Sequence, residues 1–247
     1  MKIVVIGGTG QIGSKLVKLL QANGHQMVAA SPSSGVNSIT REGLAEAMSG
    51  ADVIVDVSNA PSWEDGPVLA FFQTSTTNLI AAARANGVGH YLALSVVGTD
   101  GMAENGYMRA KKVQQDLIKA SGLPYTILQA TQFFEFLDTI IQAGADGDVI
   151  RLSPALIQPI AAGDVVAALA ELVVGAPQNE TIELAGRDAF PLDALARKLL
   201  ALKGDKREVI ADVHARYFGV ELNDKSLTPQ GTDARIGPTG LDDWLRP

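Results

Sequence analysis

Lys2-Ile3-Val4-Val5-Ile6-Gly7-Gly8-Thr9-Gly10-Gln11-Ile12-Gly13 is an apolar, β-branched run followed at once by glycines spaced G-x-x-G-x-x-G. Ile12, Leu16, Leu19 and Leu20 then recur at helical spacing, so the order is strand, glycine turn, helix. That context assigns each glycine a physical task. Gly7 allows a tight turn, Gly10 lets backbone approach a pyrophosphate, and Gly13 lets helix and strand pack closely. Free N–H groups and the positive end of the helix dipole favour phosphate at this N-terminus. Gly7, Thr9, Gly10, Gln11, Ile12 and Gly13 are therefore expected to bind a dinucleotide.

Asn23-Gly24 stops the first helix, and His25 to Ser31 is expected to form a second strand. A carboxylate at the end of that strand would hold the ribose 2′-OH of NAD and repel the 2′-phosphate of NADP. The position carries Ser31, followed by Pro32, Ser33 and Ser34, and no acidic residue occurs before Glu42. Ser31, Ser33 and Ser34 are thus candidate ligands of a 2′-phosphate, and NADP is favoured, with NAD still possible. The same Ser-Pro-Ser-Ser-Gly run is also ordinary turn chemistry.

Gly43 to Met48 is a short helical segment. Asp52-Val53-Ile54-Val55-Asp56-Val57-Ser58 is a continuous apolar run of the kind found in strands buried on both faces. Ser58, Asn59 and Ala60 follow its carboxyl end, where open α/β sheets take ligands, and either line the cofactor groove or, as Asn59 and Ala60 equally could, only terminate the strand. A long helix over Pro67 to Asn86, a strand over His90 to Ser95, a helix through Tyr107 to Lys111 and a strand over Tyr125 to Gln129 complete the alternation. The expected fold class is α/β, with a doubly wound parallel sheet. Phe133 to Ile141 is expected to be one apolar helix. Gly144 to Gly147 is expected to be a turn, and Val149–Leu152 and Thr181–Leu184 short strands. Further helices are expected over Asp164 to Val174 and Leu192 to Leu202, and a long loop or mobile tail from Asn223 to Pro238.

Composition narrows the partners. A formal charge of −7 over 247 residues argues against nucleic acid, which wants a basic face. The absence of cysteine excludes disulfides and thiolate chemistry, and three scattered histidines (His25, His90, His214) have no metal-ligand spacing, so no metal is expected. The first strand begins at residue 2 and no apolar run reaches membrane-spanning length, so a cytoplasmic protein without a membrane partner is expected. The oligomeric state is left open.

Ser95, Tyr107 and Lys111 are the candidate catalytic set. Tyrosine and lysine four apart share one helix face. An ammonium near a phenol favours the phenolate, which lowers its pKa toward the range useful for proton exchange. Ser95 closes a predicted strand, where it could bond the same substrate oxygen. Lys111 is also a cofactor candidate, or else a solvated helix lysine beside Lys112, and Tyr107 is otherwise an amphipathic tyrosine at a helix start with its hydroxyl in water. Past the next strand end, Gln129, Thr131 and Gln132 are either pocket residues or caps of the following helix. Phe133, Phe134 and Phe136 either wall a pocket or pack in the core, with the core expected for at least two.

The glycine turn, the Ser95 strand end and Tyr107-x-x-x-Lys111 together resemble a short-chain dehydrogenase/reductase. Asn78-Leu79-Ile80-Ala81-Ala82-Ala83, Gly87-Val88-Gly89-His90, Ser121-Gly122-Leu123-Pro124-Tyr125-Thr126-Ile127-Leu128 and Gly163-Asp164-Val165 are similar to its atypical, NmrA-like branch. The resemblance covers most of residues 2 to 174. It implies a Rossmann dinucleotide-binding core over 1–132, and a small C-terminal substrate lobe over 133–247 interleaved with the end of the sheet. It also implies an NADP-dependent oxidoreductase acting on a small carbonyl or quinone compound. In that scheme Tyr107 gives the proton, Ser95 holds the oxygen and Lys111 binds the ribose. The same branch contains regulators that bind dinucleotides without known turnover, so a redox sensor is the alternative. Two departures stand out: Gln129 occupies a place where the family often has Arg, and Asn78 has no secure match to the helical asparagine of classical members.

Overall fold

A computed structural model describes residues 1–246. Five strands open the chain: β1 (Lys2–Ile6), β2 (Gln26–Ala30), β3 (Val53–Asp56), β4 (His90–Val96) and β5 (Tyr125–Ala130). Between them run α1 (Gln11–Ala22), α2 (Leu44–Met48), α3 (Asp65–Ala85) and α4 (Gly106–Lys119). The central sheet has seven strands, in the order β2-β1-β3-β4-β5, then Thr181–Ala185, then Arg235–Ile236. The pairs β1–β2, β1–β3 and β3–β4 are parallel, with Ile6 opposite Ala30 on one side and Asp56 on the other. The expected Rossmann-like α/β fold is the one observed. The chain leaves β1 toward β2 on one flank and resumes with β3 on the other, so the strand order reverses at β1. A crevice opens at such a point, at the carboxyl ends of the strands.

The reason for the layering is in the strands themselves. β3 is buried at every position and β1 at all but its first, as continuous Val/Ile runs require when helices cover both faces. Val4, Ile6, Ile54, Leu79, Ile80, Tyr91, Ile118 and Ile127 form one cluster drawn from β1, β3, β4, β5, α3 and α4.

The chain separates into two compact units. The first comprises Met1–Ser95, Gly106–Gln129 and Val165–Ile182, and the second Val96–Asn105, Ala130–Asp164 and the chain from Glu183 onward. In the second unit the expected apolar helix after Phe133 is divided. A one-turn 3₁₀ segment, Phe134–Phe136, precedes α5 (Leu137–Ala143). Within the expected 144–147 turn, Ala145–Asp146 pairs antiparallel with Val149–Ile150. The helices expected near 164–174 and 192–202 are α6 (Ala162–Val174) and α7 (Leu192–Lys203).

The segment 223–238 is a long loop as expected, but it is not a free tail. Arg235 and Ile236 extend the sheet beside Leu184 and Ala185. The Glu183 carboxylate accepts the backbone N–H groups of Gln230 and Gly231, and Asp164 accepts both the N–H and the hydroxyl of Thr239. Carboxylate bonds to backbone N–H groups of this kind fix a loop that its Thr, Pro, Gly and Asp content marks as open. No helix among the described residues is long and apolar enough to cross a membrane.

Candidate functional site

The glycine turn is built against its neighbours at the limit of contact. A Cβ on Gly13 would lie 2.2 Å from the carbonyl oxygen of Gly7, and one on Gly8 2.7 Å from Ala29 Cα. Gly7 has φ +79°, and its Cβ would stand 2.9 Å from Ser58 Cα, so the carboxyl end of β3 lies beside the turn as expected. Gly7 N donates to the Ala30 carbonyl at 2.9 Å. Gly10 is the N-cap of α1 with no side-chain cap, and the first turn holds no carboxylate. The first-turn amides are left without a side-chain acceptor at the positive end of the helix, which fits a pyrophosphate.

At the end of β2 the hydroxyls converge. Thr9 Oγ1 donates to Ser31 Oγ at 3.0 Å, and Ser31 and Ser33 hydroxyls lie 3.0 Å apart. Ser31 and Ser34 form a capping box around Pro32–Ser34, in which Ser31 N donates to Ser34 Oγ at 2.9 Å. The turn chemistry and the hydroxyl cluster are therefore the same object, tied to the glycine turn through Thr9. Asn78, set aside from the catalytic residues, is occupied elsewhere: its Nδ2 donates to the Ser38 and Ile39 carbonyls, and its Oδ1 accepts from Arg41 Nε at 2.7 Å.

Behind Ser58 sits a buried carboxylate that the sequence reading passed over. Asp56, 1% exposed, accepts the Ser58 hydroxyl at 2.6 Å, the Tyr91 hydroxyl at 3.1 Å and Gln114 Nε2 at 2.9 Å. Burial, and then the Asp56 charge, push the Tyr91 phenol well above its ordinary pKa. Asn59 turns its Oδ1 to the N–H of Ala60.

Lys111 is not a solvated helix lysine. It is 3% exposed, its Nζ donates to the Leu94 carbonyl at 2.9 Å and to Gln114 Oε1, and it stands 4.5 Å over the Phe72 ring. Burial lowers its pKa to about 8, against the pull of Asp56. Ser95, next to Leu94, accepts Gln115 Nε2 at 2.9 Å, and Gln115 Oε1 accepts Gln129 Nε2 at 2.9 Å. Gln129 thus serves Gln115 at the place where an Arg was the family expectation.

Tyr107 follows Gly106, whose missing Cβ makes room for Asp65, and the ion pair Arg109–Asp65 at 2.6 Å joins the starts of α3 and α4. The Tyr107 ring packs 5.0 Å from Trp63 and 6.0 Å from Phe72. Burial pushes its pKa up to about 12. This is opposite to the expected lowering by Lys111, because burial disfavours the charged phenolate. Lys111 and Tyr107 share Phe72 as a neighbour, and Lys111 reaches the residue before Ser95, but no hydrogen bond joins Tyr107 to Ser95 among the described residues. Of the three phenylalanines only Phe134 is fully buried, against Trp244 at 5.2 Å, so core packing claims one rather than two.

Asp56, Trp63, Gln114 and Gln115 are the residues that the sequence reading missed. A signal was present for the glutamines. Lys111, Gln114, Gln115 and Ile118 recur at i, i+3, i+4 and i+7, which puts polar groups on an inward helix face.

Residues 7–173 match the model of a family described as NAD(P)H-binding. The chain belongs to the NAD(P)H-binding family. Relatives of this family member include the photosystem II assembly factor Ycf39 of Cyanophora paradoxa, 29% identical over 56% of this chain and 47% of the relative. Ycf39 of Synechocystis sp. is 24% identical over 56% of this chain and 46% of the relative. The chain thus spans about half the length of these curated relatives. Among solved structures, MoeE5 in complex with UDP-glucose and NAD superposes with a TM-score of 0.75 at 17% identity, over 98% of this chain and 95% of that one. A dTDP-4-dehydrorhamnose reductase from Bacillus anthracis in complex with NADP gives 0.69 at 14% identity, over 98% and 92%. At these identities the likeness is one of fold, and the NAD(P)H-binding assignment rests on the family match.

Proposed function

We propose that this NAD(P)H-binding protein is a reductase of small carbonyl or quinone compounds that prefers NADPH. The observation that carries the reading is Lys111, a lysine buried on the carbonyl next to Ser95 and one helical turn from Tyr107. Burying an ammonium is costly, and a packed helix face has no need of one.

Gly7, Thr9, Gly10, Gln11, Ile12 and Gly13 hold the pyrophosphate, and Ser31, Ser33 and Ser34 take the 2′-phosphate with their hydroxyls. Ser58, Asn59 and Ala60 line the groove. The bound cofactor supplies hydride. Ser95 already accepts from Gln115, which leaves its O–H to donate to the substrate oxygen. Tyr107, with a pKa of about 12, stays protonated at neutral pH and holds the proton that the developing oxyanion needs. Lys111 orients the ribose. Reduction asks for a neutral phenol, so the raised pKa suits this direction better than oxidation.

A second reading is a dinucleotide-binding sensor or regulator. Its support is the Trp63 ring lying against Tyr107, together with the similarity to proteins named as assembly factors. Tyr107→Phe separates the two. As a reductase, the variant loses NADPH oxidation with quinones and aldehydes by about 10²-fold or more, the scale of a lost general acid, and keeps its cofactor affinity. Tight NADPH binding without turnover on any acceptor, in the parent chain, favours the sensor.

A further inference from the structure

The Lys111 ammonium has three N–H donors, and two of them are engaged by the Leu94 carbonyl and Gln114 Oε1. Gln114 is itself held. Its Nε2 donates to Asp56 Oδ2 at 2.9 Å, so its amide faces Lys111 with the oxygen. Asp56 is held in turn. Its Oδ1 accepts the N–H and the hydroxyl of Ser58 at 3.1 and 2.6 Å, and its Oδ2 accepts the Tyr91 hydroxyl at 3.1 Å beside Gln114. Four donors are the full complement of an ionised carboxylate, which only accepts. Asp56, Gln114 and Lys111 are all between 1% and 3% exposed, and every group in this chain of contacts belongs to the first compact unit.

A carboxylate and an ammonium buried on either side of one amide are costly, and packed apolar groups would close the same space at less cost. We propose that Asp56 and Gln114 are positioning residues that act through Lys111. Asp56 sets the Gln114 amide with its oxygen toward the ammonium, and supplies the countercharge that holds the ammonium there. The third N–H of Lys111 is thereby left to the cofactor ribose, a step that rests on the ribose role proposed above. Asp56 opposes the lowering of the Lys111 pKa by burial. The other titratable groups around Lys111 are Tyr91 on β4 and Tyr107 on its own helix. Burial holds both phenols above their ordinary range, Tyr107 at about 12, so neither is charged near neutral pH. From α3 the Phe72 ring faces Lys111, and the Asp65 carboxylate is paired with Arg109.

Carbon-13 NMR of the lysine Cε signals in the full chain follows the Lys111 titration, with Lys111→Arg to assign it. The parent is expected to titrate near pH 8. In Asp56→Asn the introduced amide points a donor at Gln114, which then turns its own Nε2 toward the ammonium. The Lys111 midpoint should move about one pH unit or more toward acid. Asp56→Asn combined with Gln114→Glu restores a countercharge beside Lys111, and the midpoint should return to about 8 or above. Where Asp56→Asn fails to fold, Gln114→Met removes the amide alone and should move the midpoint in the same direction. Calorimetric titration with NADPH over the same pH range reads the ribose role separately. Affinity should fall through the Lys111 midpoint, and at lower pH in Asp56→Asn than in the parent. Moved Lys111 midpoints with NADPH affinity flat in pH uphold the positioning and remove the ribose role alone. A Lys111 midpoint unmoved in Asp56→Asn or in Gln114→Met, with only the melting temperature lowered, overturns the inference and leaves Asp56 an anchor of the strand ends.

Discussion

Gln115 donates its Nε2 to the hydroxyl of Ser95 at 2.9 Å while its Oε1 accepts from Gln129, so one helix side chain links the ends of β4 and β5. The link decides which way the Ser95 hydroxyl can act. Gln115→Leu would remove the Gln115 bonds to Gln129 Nε2 and to Ser95, and would free Ser95 to rotate. A stability loss of about 0.5–1.5 kcal/mol is expected for each hydrogen bond removed. Urea denaturation measures it, and a variant as stable as the parent would show the relay to be without weight.

Lys111 makes stability depend on pH in a stated direction. Its pKa of about 8 in the folded chain lies below the ordinary lysine value of 10.5. Below pH 8 both states carry the proton and the full burial cost is present. Between 8 and 10.5 the folded state gives the proton up first, so stability rises with pH. Relative to Lys111→Met, the parent should gain up to about 3 kcal/mol across that window. Parallel melting curves for the two proteins from pH 7.5 to 10.5 would contradict the assignment. Over the same interval NADPH affinity should fall if Lys111 holds the ribose as proposed, since the ammonium is lost.

Trp63 is 59% exposed and lies against Tyr107. Removing it in Trp63→Ala forfeits an aromatic pair worth about 0.5–1.5 kcal/mol and lets water reach the phenol. The Tyr107 pKa should then fall from about 12 toward its ordinary value of 10.0. Carbon-13 tyrosine NMR, with Tyr107→Phe to assign the signal, follows the titration. An unmoved pKa would mean that other neighbours bury the phenol.

Ser31→Asp addresses cofactor choice. Aspartate also serves as an N-cap, so the Pro32–Ser34 turn should persist. A carboxylate beside a 2′-phosphate is repulsive, and NADPH affinity is expected to drop by about tenfold or more while NADH is less affected. Equal losses for both cofactors in fluorescence titrations would remove Ser31 from the discrimination.

The sequence by itself determined the sheet core and the glycine turn. Both are written in neighbouring residues: continuous Val/Ile runs in β1 and β3, and glycines at positions where a Cβ would strike backbone. It also placed Ser95, Tyr107 and Lys111 near the right strand and helix. Only the tertiary structure decided what these groups are bonded to. Asp56 meets Gln114 across 58 residues, and Ser95 meets Gln115 across 20. Lys111 is drawn to Leu94 rather than to the phenol, and Trp63 covers Tyr107 from a loop that carries no motif. The division follows from range. Periodicity and turn chemistry act within a few residues, whereas a buried polar group takes its partner, and its pKa, from whatever the packing brings beside it.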